Sequence, residues 1–369
     1  MAALSASVRA NKPLAAVMRA MHAIAPLHLA DRSWDNVGLL LEAPKPRTSN
    51  GVFLAIDLTV DVATELLSER NQGVSVAVIY HPTIFRGLKS LTLSNTQQQS
   101  LLKCAAEGIS IYCPHTSLDA TPAGINDWLI LNALSAANAA AGAKSQTRLT
   151  EETLSSARLK DAWGAQSPDT FLRALWASRS TANADAEAVK TLQPSDNVDS
   201  EQAGKEGWTL AGMGRQVTLP EPVSLGKFVQ GFKREMGVEH GASHDAVVER
   251  ADADLGSVPQ RNWRTREERI SIRPFGSSPY ALAQAALSYE APRQTSHELL
   301  GTTEPGSTSI LLLRHSASER GFLQDILKPR LQALLMAQQV SGDSTAGAGV
   351  AAEWDVVVSE QDRDPLEYV

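Results

Sequence analysis

Cysteine is nearly absent: two thiols, Cys104 and Cys113, in 369 residues. They stand in no metal or redox spacing and cannot staple a chain of this length, so a disulfide framework is excluded. A reducing compartment follows as the expectation, the cytoplasm first, with the nucleus and mitochondrion left open. Positive charge is also in short supply. Lys and Arg number 34 against 41 Asp and Glu, a net charge of −7, which leaves no bulk basic field to hold a phosphate backbone. Direct nucleic-acid binding is therefore not expected. No run of about 18 apolar residues occurs, so neither a spanning helix nor a membrane partner is expected. Missing too are a nucleophile elbow and a Gly-x-x-x-x-Gly-Lys-Ser/Thr phosphate loop. Gly212-Met-Gly214-Arg215 lacks the third glycine of a dinucleotide fingerprint, and no nicotinamide cofactor is supported.

What the chain does contain is a globular composition, 43% hydrophobic and 20% charged, and length for about two domains. Arg9, Lys12 and Arg19 precede the first acid, as in a presequence. However, Leu14, Val17, Met18, Met21, Ile24 and Leu27 recur at helical spacing and predict a structural helix there. From Gly51 the chain alternates β-branched runs with amphipathic stretches: Val52–Ile56, a helix over 61–70, Val74–Ile79, a crossover helix over 101–107 stopped by Gly108, and Ile109–Tyr112. This is βαβ rhythm, and strands so apolar require cover on both faces. Residues 126–139 predict another helix, and 216–219 and 224–236 a strand and a helix capped by Ser224, which suits a second, smaller α/β unit. The polar text of 178–207 reads as a flexible surface insertion, and 256–305 yields no elements. Order returns with a buried strand at 309–313. A helix over 318–337, kinked or interrupted by Pro329, and a closing strand at 354–358 follow. No internal repeat is found.

Histidine is scarce, eight in all, so position matters. His81 ends the apolar run 74–80, at the carboxyl end of a strand, where open α/β sheets build ligand sites. His115 follows the next strand with Asp119 beyond it, and His315 follows the strand 309–313 with Glu319 four residues on. Imidazole with carboxylate suits Zn, Fe, Ni, Co or Mn, one ion or two bridged by Asp119 or Glu319, and such an ion lowers the pKa of a bound water enough to make it a nucleophile. Each piece has a plainer reading. A strand-end histidine is commonly structural, Ser316-Ala-Ser-Glu319 matches a capping box, and Asp119 near Pro122 and Gly124 can shape a turn. His22, His28, His240, His244 and His297 are taken as structural. Trp34-Asp-Asn-Val-Gly38 reads as a tight turn with Gly38 at positive φ, in a supporting role. Arg86 and Lys89 stand ready for a phosphate-bearing ligand or are simply solvated.

Several phrases together resemble one family: Trp34-Asp-Asn-Val-Gly-Leu-Leu-Leu-Glu42, Ala55-Ile-Asp-Leu-Thr59, and the run from Tyr80 to Thr92 that begins Tyr-His-Pro-Thr. Pro114-His-Thr-Ser-Leu-Asp119 with Gly124-Ile-Asn-Asp-Trp128, and His315-Ser-Ala-Ser-Glu-Arg-Gly-Phe-Leu323, continue the match. The sequence resembles the Nif-three-like family, also labelled GTP cyclohydrolase type 2 homologues or NGG-one-interacting factor three. The closing phrase 358–366 is similar to the tail of its eukaryotic members. The resemblance covers about residues 12–135 and 308–369 well and the middle loosely. It implies an α/β, two-lobed fold in which residues 12–142 and 308–369 form one discontinuous metal-binding α/β domain. A smaller α/β domain, 150–300, is inserted between them. It further implies a divalent, typically dinuclear, metal site and a homo-oligomer, often a hexameric ring. Carried over by position, the implied ligands are His81, Asp119, His315 and Glu319, with His115 as ligand or neighbour. Two departures stand out. Many members have adjacent histidines where this chain has Tyr80-His81; a phenol there ligates only if ionised, and the reading preferred is a supporting or packing residue. Residues 275–300 replace a glycine-rich, histidine-containing region.

The resulting expectation is a metal-dependent hydrolase of a small nucleotide-like or phosphorylated substrate, with metal-bound water as nucleophile and His115 or Glu319 moving protons. The alternative is a non-enzymatic metal-binding scaffold acting through protein partners in transcriptional regulation or metal handling.

Overall fold

The computed structural model describes residues 4–142, 162–165, 167–179, 189–196, 198, 208, 210–219, 223–237, 246–250, 268–272, 309–313, 318–340 and 353–363. Two helices open the chain, α1 (Ala6–Ala10) and α2 (Lys12–Ile24). Asn11 caps α2 by accepting from Leu14 N at 3.3 Å, and Pro13 sits in the first turn, where its missing N–H costs nothing. This is the structural helix predicted from the apolar spacing. Next come β1 (Gly38–Leu41), β2 (Gly51–Ala55), α3 (Val60–Leu66), β3 (Val74–Ile79), α4 (Thr96–Ala106), β4 (Ser110–Cys113), α5 (Thr116–Ala120) and α6 (Ile125–Ala140). Thr59 and Asn95 cap α3 and α4 by accepting from Val62 N and Gln98 N at 3.2 and 3.0 Å. Gly108 ends α4 at φ +79 and Gly38 opens β1 at φ +105, conformations that suit glycine.

Beyond α6 the described elements are α7 (Pro168–Arg179), β5 (Lys190–Pro194), β6 (Gly212–Leu219), α8 (Leu225–Glu235), β7 (Ala246–Arg250), β8 (Glu268–Ile272) and β9 (Ser309–Leu313). The short α9 (Arg320–Phe322), a π turn (Leu323–Leu327), α10 (Lys328–Val340) and β10 (Asp355–Val358) close the order. No described helix is long and apolar enough to cross a membrane.

The main sheet runs β1-β4-β3-β2-β10. β4, β3, β2 and β10 are parallel, and β1 lies antiparallel on β4. Strand alternation divides its side chains between two cores. Val52, Leu54, Ile56, Val76, Val78, Tyr80 and Tyr112 face α2, α6 and α10, while Phe53, Ala55, Ala77, Ile79 and Ile111 face α3 and α4. Cover on both faces is what the apolar runs required. Each fully buried aliphatic side chain stabilises by about 1.5–3 kcal/mol, and β3 is buried throughout its length.

Three sequence expectations need correction. The segment 178–207 is not wholly a loose insertion: β5 lies within it and pairs antiparallel with β6 in the sheet β5-β6-β8. Lys190, Thr191 and Gln193 are polar and all five side chains are exposed or half-buried, as an edge strand permits, so no apolar alternation marked it. β8 likewise falls in the stretch given no elements. Ser224 stands at the cap of α8 but makes no side-chain capping bond. β9 pairs antiparallel with β7 in a separate two-stranded sheet.

The carboxyl-terminal helices dock on α6. The six-membered ring of Trp128 lies against Gly321, where an added Cβ would sit 2.7 Å from the ring. Its Nε1 donates to Asp325 Oδ2 at 3.1 Å, so the start of α9 is held in one place. The predicted interruption at Pro329 takes the form of the π turn just before it. A proline ring collides with the carbonyl four residues back, and a widened turn accommodates it.

Candidate metal centre

The main sheet brings three strand ends to one edge. At the end of β3, Tyr80 N and His81 N donate to Ala55 O and Ile56 O at 2.9 Å each, continuing the ladder toward Asp57 at the end of β2. The end of β4 leads through Pro114 to His115, which caps α5 with φ 33, a conformation few non-glycine residues adopt. One turn on, α5 buries Asp119. Glu319, at the cap of α9, is brought over the same edge by the docking of Gly321 and Phe322 on Trp128.

Four of the five sequence-expected site residues therefore meet. The rings of His81 and His115 are 5.5 Å apart between centroids. His81 Nε2 is 3.5 Å from Glu319 Oε2. Tyr80 Oη donates to Asp119 Oδ1 at 2.8 Å, and its ring stands 5.4 Å from that of His115. The fifth, His315, lies outside the described residues, as do Ser316, His240, His244 and His297. Glu319 makes no side-chain capping bond to α9, and Asp119 is taken up by Tyr80. His28 packs edge-on against Trp208 at 6.2 Å. Arg86 and Lys89 are exposed on the loop that follows His81.

Two carboxylates that the sequence reading passed over complete the arrangement. Asp57 Oδ1 is 2.9 Å from His81 Nδ1, and Asp35 Oδ1 is 2.6 Å from His115 Nδ1. Asp35 also accepts from Thr116 N and Oγ1 at 3.3 and 2.5 Å. Trp34 stands edge-on to His115 at 5.8 Å and is itself anchored by Nε1 on Asp31 Oδ2 at 2.8 Å. The Trp34–Gly38 turn thus meets the site through Asp35. When a carboxylate accepts the Nδ1–H of a neutral imidazole, the lone pair is left on Nε2, the arrangement common behind metal-ligating histidines.

The electrostatics follow from crowding. Burial, reinforced by the charge of Glu319, pushes the Asp119 carboxyl up to about 7 against the pull of Tyr80 and the imidazoles. Burial acts to lower the His81 imidazole, but Asp57 and Glu319 outweigh it and raise it to about 10. Burial would raise Asp35 as well; the bonds from His115 and Thr116 more than offset it and hold the carboxyl below its ordinary range. Tyr80, buried beside Asp119 and Glu319, is raised well above the usual phenol and stays a donor. Like charges held this close favour a cation among them.

Among the described residues no three His, Cys, Asp or Glu side chains already stand as a closed ligand set. The donors that do converge fit a divalent cation by their chemistry: imidazole nitrogen from His81 and His115, and carboxylate oxygen from Asp119 and Glu319.

Known proteins resemble this chain over most of its length. The model of the Duf34/NIF3 (NGG1p interacting factor 3) family matches residues 13–254. The chain is 32% identical to Protein NIF3 homolog of Schizosaccharomyces pombe over 92% of its own length and 91% of that protein. It is 27% identical to NGG1-interacting factor 3 of Saccharomyces cerevisiae, covering 95% of each. Among solved structures, a Bacillus cereus protein related to NIF3 superposes with a TM-score of 0.52 at 17% identity, over 96% of this chain and 98% of that one, a likeness of fold.

Proposed function

The chain belongs to the Duf34/NIF3 family, and on that premise we propose that it is a divalent-metal-binding hydrolase of a small nucleotide-like or phosphorylated substrate. One observation carries the reading: His81 after β3, His115 and Asp119 at α5, and Glu319 at the start of α9 converge at one sheet edge, with a carboxylate behind each imidazole. These four residues, with His315, are the proposed ligands for one or two ions drawn from Zn, Fe, Ni, Co and Mn. A divalent ion supplies Lewis acidity and makes water acidic enough to attack at neutral pH. The chain's own part is to hold and move protons. Asp35 and Asp57 fix the imidazoles, and Tyr80 orients Asp119 through one oxygen. Whichever of Glu319 and His115 is not engaged as a ligand would take the proton of the attacking water and return it to the leaving group. Arg86 and Lys89, exposed on the loop after His81, offer positive charge to a phosphate.

The test is elemental analysis of the purified full chain, followed by a screen of nucleotides and phosphoesters with each metal added. Turnover that disappears in His81→Ala and Asp119→Ala proteins of unchanged circular dichroism supports the hydrolase. An absence of both metal and turnover overturns it.

A second reading is favoured by the loop that follows His81, which exposes Phe85, Leu88, Leu91 and Leu93 together. Clustered exposed apolar residues mark protein contacts, and the Saccharomyces cerevisiae relative is named for a protein partner. On this reading the chain is a metal-binding scaffold, self-associating and docking a partner in transcriptional regulation or metal handling. Metal retained without turnover, with metal-dependent partner capture, is the outcome that selects it.

A further inference from the structure

The segment after β10 is built into the site from behind. Ser359 N donates to Leu54 O at 2.8 Å, one step beyond the β10–β2 ladder, and the chain then turns. Glu65 on α3 holds the turn by accepting from Ser359 Oγ, Glu360 N and Gln361 N at 2.5, 2.9 and 3.1 Å. Asp362 N closes it on Ser359 Oγ at 3.0 Å. This delivers the Asp362 carboxylate, only 3% exposed, to the end of β2. There it accepts from Ile56 N at 2.5 Å and Asp57 N at 3.4 Å. Arg320 completes the circuit, with Nη1 on Asp362 Oδ1 and Nη2 3.7 Å from Asp57 Oδ2. The other oxygen of Asp57 is the one that meets His81 Nδ1, and Arg320 directly follows Glu319 in the chain.

We propose that Asp362 and Arg320 are positioning residues of the metal centre, through which the carboxyl-terminal strap 359–362 sets the placement of His81 and Glu319. The proposal rests on the metal-binding reading above for its consequence but not for its geometry. Arg320 is shared between two carboxylates. Asp362 holds one arm of the guanidinium, the other arm stands 3.7 Å from Oδ2 of Asp57, and Oδ1 of Asp57 meets His81. Without the charge on Asp362 the guanidinium is free to close on both oxygens of Asp57, the bidentate geometry it favours, and competes with the imidazole for Oδ1. The Asp57 backbone loses an anchor at the same time. Partners one step behind the ligands typically change metal affinity by about 10–100-fold when removed.

The test uses the full chain, stripped of metal, as the parent protein and as Asp362→Asn, Arg320→Gln and Arg70→Gln variants. Arg70 pairs with Glu360 of the same strap at 2.7 Å on the exposed side and touches neither Asp57 nor Asp362, so it reports loss of strap contacts alone. Two signals are read: the ring-nitrogen chemical shifts of His81 in metal-free protein, assigned by their loss in His81→Gln, and the visible spectrum and isotherm of Co(II) uptake. Asp362→Asn and Arg320→Gln are each expected to move the His81 Nδ1 signal and to weaken cobalt binding by about 10-fold or more, with Arg70→Gln moving neither. Should Asp362→Asn fail to fold, Arg320→Gln carries the test. Ring-nitrogen signals and cobalt isotherms that superimpose on the parent's, whatever the melting temperatures, overturn the proposal. If the parent takes up no cobalt, the metal reading falls instead, and the ring-nitrogen signals alone decide the role of the strap.

Discussion

Arg215 and Asp127 form a fully buried two-point ion pair: Nε and Nη2 of the guanidinium each lie 2.8 Å from one carboxylate oxygen. Arg215 comes from β6 and Asp127 from the first turn of α6, so the pair fastens the antiparallel sheet to the helix that also carries Trp128. The third guanidinium nitrogen, Nη1, donates to Gly212 O and Gly214 O at 2.8 and 3.0 Å, and Ala123 N donates to Asp127 at 2.9 Å. Every strong donor and acceptor has a partner, which is what makes such burial tolerable.

Breaking this pair from one side strands a buried charge. Asp127→Ala is expected to cost about 3–5 kcal/mol, read as a fall in the urea midpoint at unchanged m-value. The double change Arg215→Met with Asp127→Leu is expected to cost less than either single change, because it leaves no orphaned charge. If the costs of the two single changes simply add in the double, the account of the pair is wrong.

Gly321 has no room for a side chain against Trp128. Gly321→Ala is expected to destabilise by about 1–3 kcal/mol through overpacking. It also pushes α9 away from α6, so Glu319 retreats from His81 and cobalt uptake weakens further than the stability loss explains. Partial relief by Trp128→Phe, which shrinks the ring, provides the check on cause.

Asp35→Asn puts an amide where His115 meets an acceptor. Metal affinity is expected to fall by about 10–100-fold, while the near-isosteric amide, which keeps an oxygen for the Thr116 donors, leaves the protein folded. Isothermal titration with Co(II) measures the first effect and circular dichroism the second. An unchanged isotherm would remove His115 from the proposed centre.

Both cysteines should be silent toward thiol reagents in the native state. Burial pushes the Cys104 thiol up to about 12, with nearby Arg47 pulling it only partly back, and raises Cys113 well above its ordinary value. The reactive thiolate is therefore scarce at pH 8 and sheltered as well. A disulfide reagent is expected to titrate no thiol before denaturant is added and two afterwards. Fast labelling of the native protein would contradict the packing of α4 and β4.

The parts of this molecule that were legible in the sequence are those dictated by neighbours along the chain. β2, β3 and β4 announced themselves as β-branched runs because both their faces are covered, and His81 and His115 were marked by standing where such runs end. The carboxylates behind them were not. Asp57 and Asp35 act on imidazoles 24 and 80 residues away, and which strand lies beside which is a property of the folded sheet. The available signal was Asp57 at the end of its own apolar run, one strand over from His81. β5 stayed hidden for another reason: an edge strand with a polar, partly exposed face carries no apolar alternation to read. Pro329 gave away a break in the last helix but not its form, since a kink, a stop and a π turn all accommodate the same missing donor.

The parallel pairing of β10 with β2 has a consequence for biosynthesis. Asp355 lies opposite Gly51, so about 300 residues must leave the ribosome before the outer side of β2 is covered. At about 5–20 residues per second that is a wait of at least some 15 s. During it, a nascent chain with β2, β3 and β4 in place carries an uncapped row of peptide groups beside a bare apolar strand, the kind of surface that chaperones hold and that neighbouring polysomes entangle.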